Sequence, residues 1–148
     1  AIAGSVDLPA VDTTRIPKAK ILIVDDEVDL LEPFKEFILE DKPSQYEVET
    51  AKDPKEGLLL NNEFEPDILF FDIKMPHMMG TEMVDQIKKG EGNKPKLYVV
   101  ISADGYQNIV EGMEKLGYPV FTKPFNIEHV LKFIRDKCLE LGLFTKAQ

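Results

Sequence analysis

The chain of 148 residues contains, in its middle, the segment Ile68-Leu69-Phe70-Phe71-Asp72-Ile73-Lys74-Met75-Pro76. Its first four residues form an unbroken apolar run that ends at the carboxylate of Asp72. A short apolar run bounded by turn residues is typical of a strand buried on both faces, as in a parallel sheet. Asp72 is therefore predicted to lie at the carboxyl end of a buried strand, where open α/β sheets bind ligands.

Three other apolar runs also end at polar side chains. The runs and the residues that follow them are 21–24 with Asp25, Asp26 and Glu27, 97–101 with Ser102, and 120–122 with Lys123. If the strands are parallel, carboxylates, a hydroxyl and an ammonium converge at one edge of the sheet. An acid after a strand often serves only as the N-cap of the next helix. Four strand ends with complementary chemistry favour a functional site instead.

The apolar pattern predicts five strands that alternate with five helices. The first strand is predicted at 20–24, and an alternating edge strand at 46–51. Helical spacing predicts a helix at 28–40, with Pro33 in or near its first turn. The other helices are predicted at 54–62, 81–89 and 107–116, and after Asn126. This alternation predicts an α/β fold with a parallel sheet and right-handed crossovers.

Composition limits the classes of function. The net charge of -9 argues against direct nucleic-acid binding, which needs clustered Lys and Arg. No apolar stretch is long enough to span a membrane, and the single Cys138 cannot form an internal disulfide, so a cytoplasmic protein is expected. We interpret 1–18 as a lead-in or linker that is partly a remnant of cloning, 19–142 as one domain, and 143–148 as a C-terminal tail.

Four short motifs in this order resemble the receiver domain of bacterial response regulators, over roughly Lys20 to Leu141. They are Asp25-Asp26, Asp72-x-x-Met75-Pro76-x-Met78-x-Gly80, Ser102-Ala103 and Lys123-Pro124-Phe125. Each motif alone is weak, but the set at these spacings is specific. The resemblance implies a flavodoxin-like (βα)5 sandwich with a five-stranded parallel sheet of order 2-1-3-4-5. It also implies a cis bond between Lys123 and Pro124.

The resemblance implies that Asp72 is a phosphoacceptor in a two-component phosphorelay. Its carboxylate would take a phosphoryl group from a partner histidine kinase or phosphotransfer protein and form an acyl phosphate. Asp25, Asp26 and Asp72 form an all-oxygen cluster suited to Mg²⁺. By resemblance, Asp26 and Asp72 bind the metal directly, the backbone carbonyl of Lys74 completes the set, and Asp25 acts through water.

Two further strand-end residues would stabilise the phosphoryl group. Ser102 would donate a hydrogen bond to one phosphoryl oxygen, and Lys123 would place a cation beside another. Each alone would be read as an ordinary turn or surface residue. Glu27 is interpreted only as an acid favoured at a helix start, and Lys74 as a residue that either tunes the phosphoryl lifetime or points to solvent.

One position departs from the family pattern. Family members usually carry Tyr or Phe three residues before the strand-end lysine, and here that position holds Val120. Phe121 is one residue out of phase and should face the opposite side of the sheet. Movement of Ser102, with the loop 103–105, would then carry the signal, or Tyr118 would substitute for the missing aromatic.

Three functions are compatible with the sequence. The preferred hypothesis is a phosphorylatable switch that signals by a conformational change to a downstream protein or effector domain, and that is not an enzyme acting on other substrates. The alternatives are a Mg²⁺-dependent phosphatase with an aspartyl nucleophile and a receiver-like binding module that is never phosphorylated. The first commonly needs an acid where Lys74 stands, and the second is expected to lack one of the acids, Ser102 or Lys123.

Overall fold

The computed structural model describes residues 14–103 and 106–147. The strands are β1 (Arg15–Val24), β2 (Gln45–Ala51), β3 (Ile68–Asp72), β4 (Leu97–Ser102), β5 (Val120–Thr122) and β6 (Phe144–Lys146). The helices are α1 (Val28–Glu40), α2 (Pro54–Phe64), α3 (Gly80–Lys89), α4 (Gln107–Lys115) and α5 (Ile127–Glu140). None of the helices within these two ranges is long and apolar enough to cross a lipid bilayer.

The first five strands form a parallel sheet in the order β2-β1-β3-β4-β5. This confirms the predicted flavodoxin-like (βα)5 fold and the position of β2 at an edge. All five residues of the central strand β3 are buried, as its unbroken apolar run predicts. The parallel register brings the carboxyl ends of β1, β3, β4 and β5 to one edge of the sheet.

Alternate residues of each strand feed two separate apolar cores. On one face, Ile21 and Ile23 of β1 pack with α1 and α5. On the other face, Leu22 and Val24 pack with α2, α3 and α4. Because side chains alternate along a strand, one apolar run supplies both cores, and this explains why the strand sequences are continuously apolar.

The first strand begins earlier than predicted, at Arg15 instead of Lys20. Its additional residues include Arg15–Pro17, which pair antiparallel with β6 near the end of the chain. This pairing joins residues of the predicted linker to residues of the predicted tail. The division into a lead-in, a receiver domain and a tail remains a prediction.

Two helices, α2 and α5, begin at residues whose side chains cap them, as their sequences predict. The Asp53 side chain accepts a hydrogen bond from the Glu56 N–H, and the Asn126 side chain caps α5. Pro33, however, lies inside α1 beyond its first turn, where it leaves one backbone carbonyl without its helical donor. The apolar face of α1 is buried against the sheet, and this burial offsets the free-energy cost of the lost hydrogen bond.

Candidate functional site

The predicted polar residues meet at the carboxyl edge of the sheet. Asp25 follows β1 and its backbone N–H donates to the Ala51 carbonyl at the end of β2 (3.0 Å). Asp72 ends β3, Ser102 ends β4, and the Lys123 N–H donates to the Ser102 carbonyl (2.7 Å). Backbone hydrogen bonds therefore fix the relative positions of the strand ends, and the side chains inherit this geometry.

Three carboxylates form a cluster that fits a divalent cation. One oxygen from each of Asp25, Asp26 and Asp72 lies within 4.8 Å of the other two. Asp25 is fully buried, and its Oδ1 accepts a hydrogen bond from the Glu27 N–H (2.9 Å). Its buried Oδ2 has no hydrogen-bond partner within the described ranges. A set of three carboxylates, one of them fully buried, offers the all-oxygen donors that Mg²⁺ prefers.

The Lys123 ammonium lies among three carboxylates. Its Nζ is 2.7 Å from Asp25 Oδ2, 3.1 Å from Glu27 Oε2 and 3.5 Å from Asp72 Oδ2. The contact with Asp25 pairs a buried carboxylate oxygen with an opposite charge. Burial lowers the pKa of Lys123, but the adjacent carboxylates, Asp25 first, outweigh burial and hold that pKa above its ordinary value. Lys123 therefore places a cation beside Asp72 at neutral pH.

Asp72 is a poorly solvated acid. It is 7% exposed, and burial, followed by the negative charge of Asp25, raises its pKa to about 7. The positive charge of Lys123 acts in the opposite direction without cancelling these effects. A carboxylate held in this way gains from any added positive charge, because that charge relieves both its burial and the repulsion from its neighbours.

The Ser102 hydroxyl is fully buried and donates a hydrogen bond to the Ala103 carbonyl (3.0 Å). Because this bond occupies its only proton, Ser102 has to rotate or move before it can donate to a group on Asp72. The next two residues of the loop whose movement was predicted, Asp104 and Gly105, lie outside the described residues.

An open cavity of about 730 Å³ lies over the cluster. Asp72 and Lys123 line it together with Lys74 and Tyr106. The Lys74 ammonium lies 5.7 Å from the centre of the Tyr106 ring, a cation–π distance. The Lys74 side chain is exposed and lies near Tyr106 at the start of α4, and whether it tunes the phosphoryl lifetime stays a prediction.

The side chains of Val120 and Phe121 point to opposite faces of the sheet, as the alternation of side chains along a strand predicts. Val120 packs with the core formed by α2, α3 and α4, and Phe121 packs with the opposite core, against Phe125 and Phe133. Tyr118 lies edge-on to Tyr98, with ring centres 6.3 Å apart. The Lys123-Pro124 bond is cis, as the resemblance implies, and a second cis bond, which was not predicted, precedes Pro43.

Glu27 precedes α1, as the sequence indicates, and also has a contact that was not predicted. Its side chain makes no capping hydrogen bond to α1 and instead pairs with Lys123. The only available signal was that Glu27 continues the acidic pair Asp25-Asp26. Nothing in the sequence indicates which of the three successive acids contact Lys123, which lies 96 residues after Glu27.

Comparison with known proteins gives consistent results. The model of the response regulator receiver domain matches residues 21–135, more than half of the chain. An uncharacterized response regulatory protein of Staphylococcus epidermidis is 27% identical over 124 residues, which are 82% of this chain and 48% of that protein. The transcriptional regulatory protein TrcR of Mycobacterium tuberculosis is 26% identical over 128 residues, 86% of this chain and 48% of that protein. The chain thus spans about half the length of these relatives.

Solved structures show the same similarity. The N-terminal domain of an uncharacterized protein from Wolinella succinogenes is 34% identical, with a TM-score of 0.69, and the match covers 83% of this chain and 97% of that one. A CheY-like response regulator receiver domain protein from Methanospirillum hungatei is 28% identical, with a TM-score of 0.70, covering 84% of this chain and 97% of that one.

Proposed function

This chain belongs to the response regulator receiver domain family, and from that premise we propose that Asp72 accepts a phosphoryl group from a histidine kinase or phosphotransfer protein. The observation that carries the proposal is the placement of Asp72. It is a buried carboxylate at the end of the central strand, in contact with Lys123, clustered with two acids, and open to a cavity. The domain then signals by a conformational change.

Transfer of the phosphoryl group needs a nucleophile, a leaving group and positive charge near the phosphoryl oxygens. An Asp72 carboxylate oxygen attacks the phosphorus, so a P–O bond forms as the P–N bond of the phosphohistidine donor breaks. The leaving imidazole nitrogen keeps the bonding electron pair and takes up a proton from solvent. Lys123 offsets charge on one phosphoryl oxygen, and Ser102 donates to another after it releases the Ala103 carbonyl. Water reverses the switch: its oxygen bonds to phosphorus, the P–O bond to Asp72 breaks, and the Asp72 carboxylate and inorganic phosphate are released with a proton.

The acidic residues would hold Mg²⁺. Asp25, Asp26 and Asp72, with the backbone carbonyl of Lys74, are the proposed ligands. Magnesium, when bound, supplies positive charge between two anionic reactants. Asp26 and Asp72 would position that charge directly, and Asp25 would do so through water.

The two alternatives receive less support. A phosphatase that acts on other substrates commonly uses an acid two residues after the nucleophile, and here Lys74 occupies that position with its ammonium over Tyr106. A binding module that is never phosphorylated has no need for Asp72, Ser102 and Lys123 to converge. We therefore propose that the domain catalyses only its own phosphorylation and dephosphorylation.

The proposed setting follows from the family. The partner that delivers the phosphoryl group is a kinase or phosphotransfer protein in the cytoplasm, and the output passes to a downstream protein or to an effector domain outside this chain. The curated relatives, about half of whose length this chain spans, support an attached effector. Direct binding of nucleic acid by this domain is not proposed, because its charge is -9.

Mass spectrometry tests the proposal directly. The protein is incubated with acetyl phosphate and Mg²⁺, and we expect a mass increase of one phosphoryl group that maps to Asp72. Asp72→Asn should abolish the adduct. Asp85→Asn, which removes an exposed carboxylate paired with Lys89, should leave it unchanged. An adduct on another residue, or none in the native protein, would overturn the proposal.

A further inference from the structure

Lys123 is closer to the acids that follow β1 than to the nucleophile. Its Nζ lies 2.7 Å from Asp25 and 3.1 Å from Glu27, but 3.5 Å from Asp72. An ammonium has three N–H donors, and three carboxylates compete for them here. Before a phosphoryl group can use Lys123, at least one of these partners has to give way.

The backbone of Glu27 is fixed while its side chain remains free to move. The Glu27 N–H donates to Asp25 Oδ1 (2.9 Å), and its carbonyl accepts from the Leu30 N–H (3.0 Å) at the start of α1. These bonds hold the backbone from which the side chain reaches Lys123. The Glu27 side chain itself is 56% exposed, whereas the Lys123 side chain is 13% exposed.

The other partners of Lys123 cannot leave so easily. Asp25 is fully buried, so moving its carboxylate away from Lys123 would leave an uncompensated buried charge. Asp72 carries the phosphoryl group in the proposed reaction. The Glu27 carboxylate can turn into water, because an exposed ion pair contributes little free energy and water replaces its partner. Glu27 is thus the partner that phosphoryl oxygens displace.

We infer that Glu27 is a positioning residue that holds the Lys123 ammonium in the unphosphorylated protein and yields it to the phosphoryl oxygens on Asp72. The inference rests on the proposed function of Asp72. Glu27 opposes phosphorylation in two ways, since it occupies a donor that the product needs and adds a negative charge near an anionic donor. It therefore sets how far the switch is populated at a given supply of phosphoryl donor.

The test measures the affinity for beryllofluoride, a phosphoryl mimic, by titration in excess Mg²⁺. We expect Glu27→Gln to bind it about two- to five-fold more tightly than the native protein, the range that corresponds to an exposed ion pair. Asp29→Asn is the matched control. Asp29 is an exposed acid in the first turn of α1, and it is not among the ion-pair partners of Lys123 within the described ranges.

Glu27→Asp separates the contact from the charge. The substitution keeps the carboxylate but draws it back by one methylene, so the contact with Lys123 is lost. We expect Glu27→Asp to bind beryllofluoride more tightly than the native protein, as Glu27→Gln does. An Asp variant that matches the native protein would show that only local charge matters and would overturn the inference.

The Lys123 Nζ resonance supplies a readout that a purely structural role would not move. In the protein without beryllofluoride, Glu27→Gln should shift this NMR signal toward its position in the beryllofluoride complex, and Asp29→Asn should not. Equal affinities of Glu27→Gln and Asp29→Asn would overturn the inference alone. Failure of the native protein to bind beryllofluoride would overturn the proposed function, and the inference with it.

Discussion

A Cβ atom on Gly80 would stand 1.9 Å from the backbone carbonyl oxygen of Asp72. Gly80 begins α3, and its N–H donates to the Ile73 carbonyl, so the loop after β3 folds back tightly on the strand. The backbone of Asp72 approaches Gly80 so closely that a side chain at position 80 would clash with it. The glycine in the family motif has a steric reason at this position.

Gly80→Ala should destabilise the fold by about 1–3 kcal/mol, as expected for overpacking against backbone, and should slow phosphorylation because Asp72 has to shift. Urea unfolding and the acetyl phosphate reaction measure the two effects. Gly112→Ala is the control, because a Cβ there meets nothing within 4 Å and α4 should gain about 0.5–1 kcal/mol. Unchanged stability of Gly80→Ala would contradict the close approach.

The pH dependence of stability should report the environment of Asp72. The folded-state pKa of Asp72 is about 7, raised from 3.8, mainly by burial. Between these values the folded protein holds a proton that the unfolded chain has released. The contribution of Asp72 to stability is therefore present at low pH and is lost as pH rises through this window.

In the presence of a chelator that removes metal ions, the native protein should thus lose stability relative to Asp72→Asn as pH rises from about 4 to about 7. Above that range Asp72→Asn should be the more stable protein. Chemical denaturation across this pH range measures the difference. Parallel stability curves for the two proteins would show that the Asp72 carboxyl group is not perturbed by burial.

Removing charge from the metal site should stabilise the metal-free protein. Two carboxylates as close as those of Asp26 and Asp72 repel by roughly 3 kcal/mol at an effective dielectric near 20, before solvent screening reduces the value. Asp26→Asn should raise Tm without metal and weaken the increase in Tm that Mg²⁺ produces. Asp85→Asn is the control. No response of the native protein to millimolar Mg²⁺ would refute the metal site.

Val120→Tyr should change the readout more than the chemistry. Val120 is β-branched and smaller than the usual aromatic, so it should couple weakly to a movement of Ser102. Amide NMR shifts with and without beryllofluoride should be modest and lie mostly at 102–107 in the native protein. The substitution should extend them along β5 and alter partner affinity while Asp72 phosphorylation stays similar. Large native shifts around Val120, unaffected by the substitution, would contradict this prediction.

The parts of the fold that could be predicted depend on local signals. Unbroken apolar runs predicted β3 and β4, and cap residues such as Asp53 and Asn126 predicted helix starts. The extension of β1 back to Arg15 carries no such signal, because residues near Pro17 pair with a segment near the other end of the chain. Pairing between distant segments is encoded in tertiary contacts, which a local pattern does not contain.

The candidate site follows the same division. The strand-end positions of Asp72, Ser102 and Lys123 follow from sequence because the carboxyl ends of parallel strands share an edge. The partner of Glu27 does not, since its side chain had two equally local options, capping α1 or turning to the sheet edge. The side chain turns to the sheet edge because Lys123 lies there. The position of Lys123 is set by β5, which lies three strands from β1 in the sheet.

The antiparallel pairing of β1 with β6 also determines how the molecule bears mechanical load. Arg15 is paired with Lys146, Ile16 with Thr145 and Pro17 with Phe144, so the two segments separate from their outer ends. A force that pulls the two segments apart therefore breaks these pairs one after another, beginning with Arg15 and Lys146. The parallel strands that carry Asp25 and Asp72 come under tension only afterwards. The β1–β6 pair, which lies at the opposite end of β1 from the acidic cluster, is therefore the first part of the sheet to separate under load.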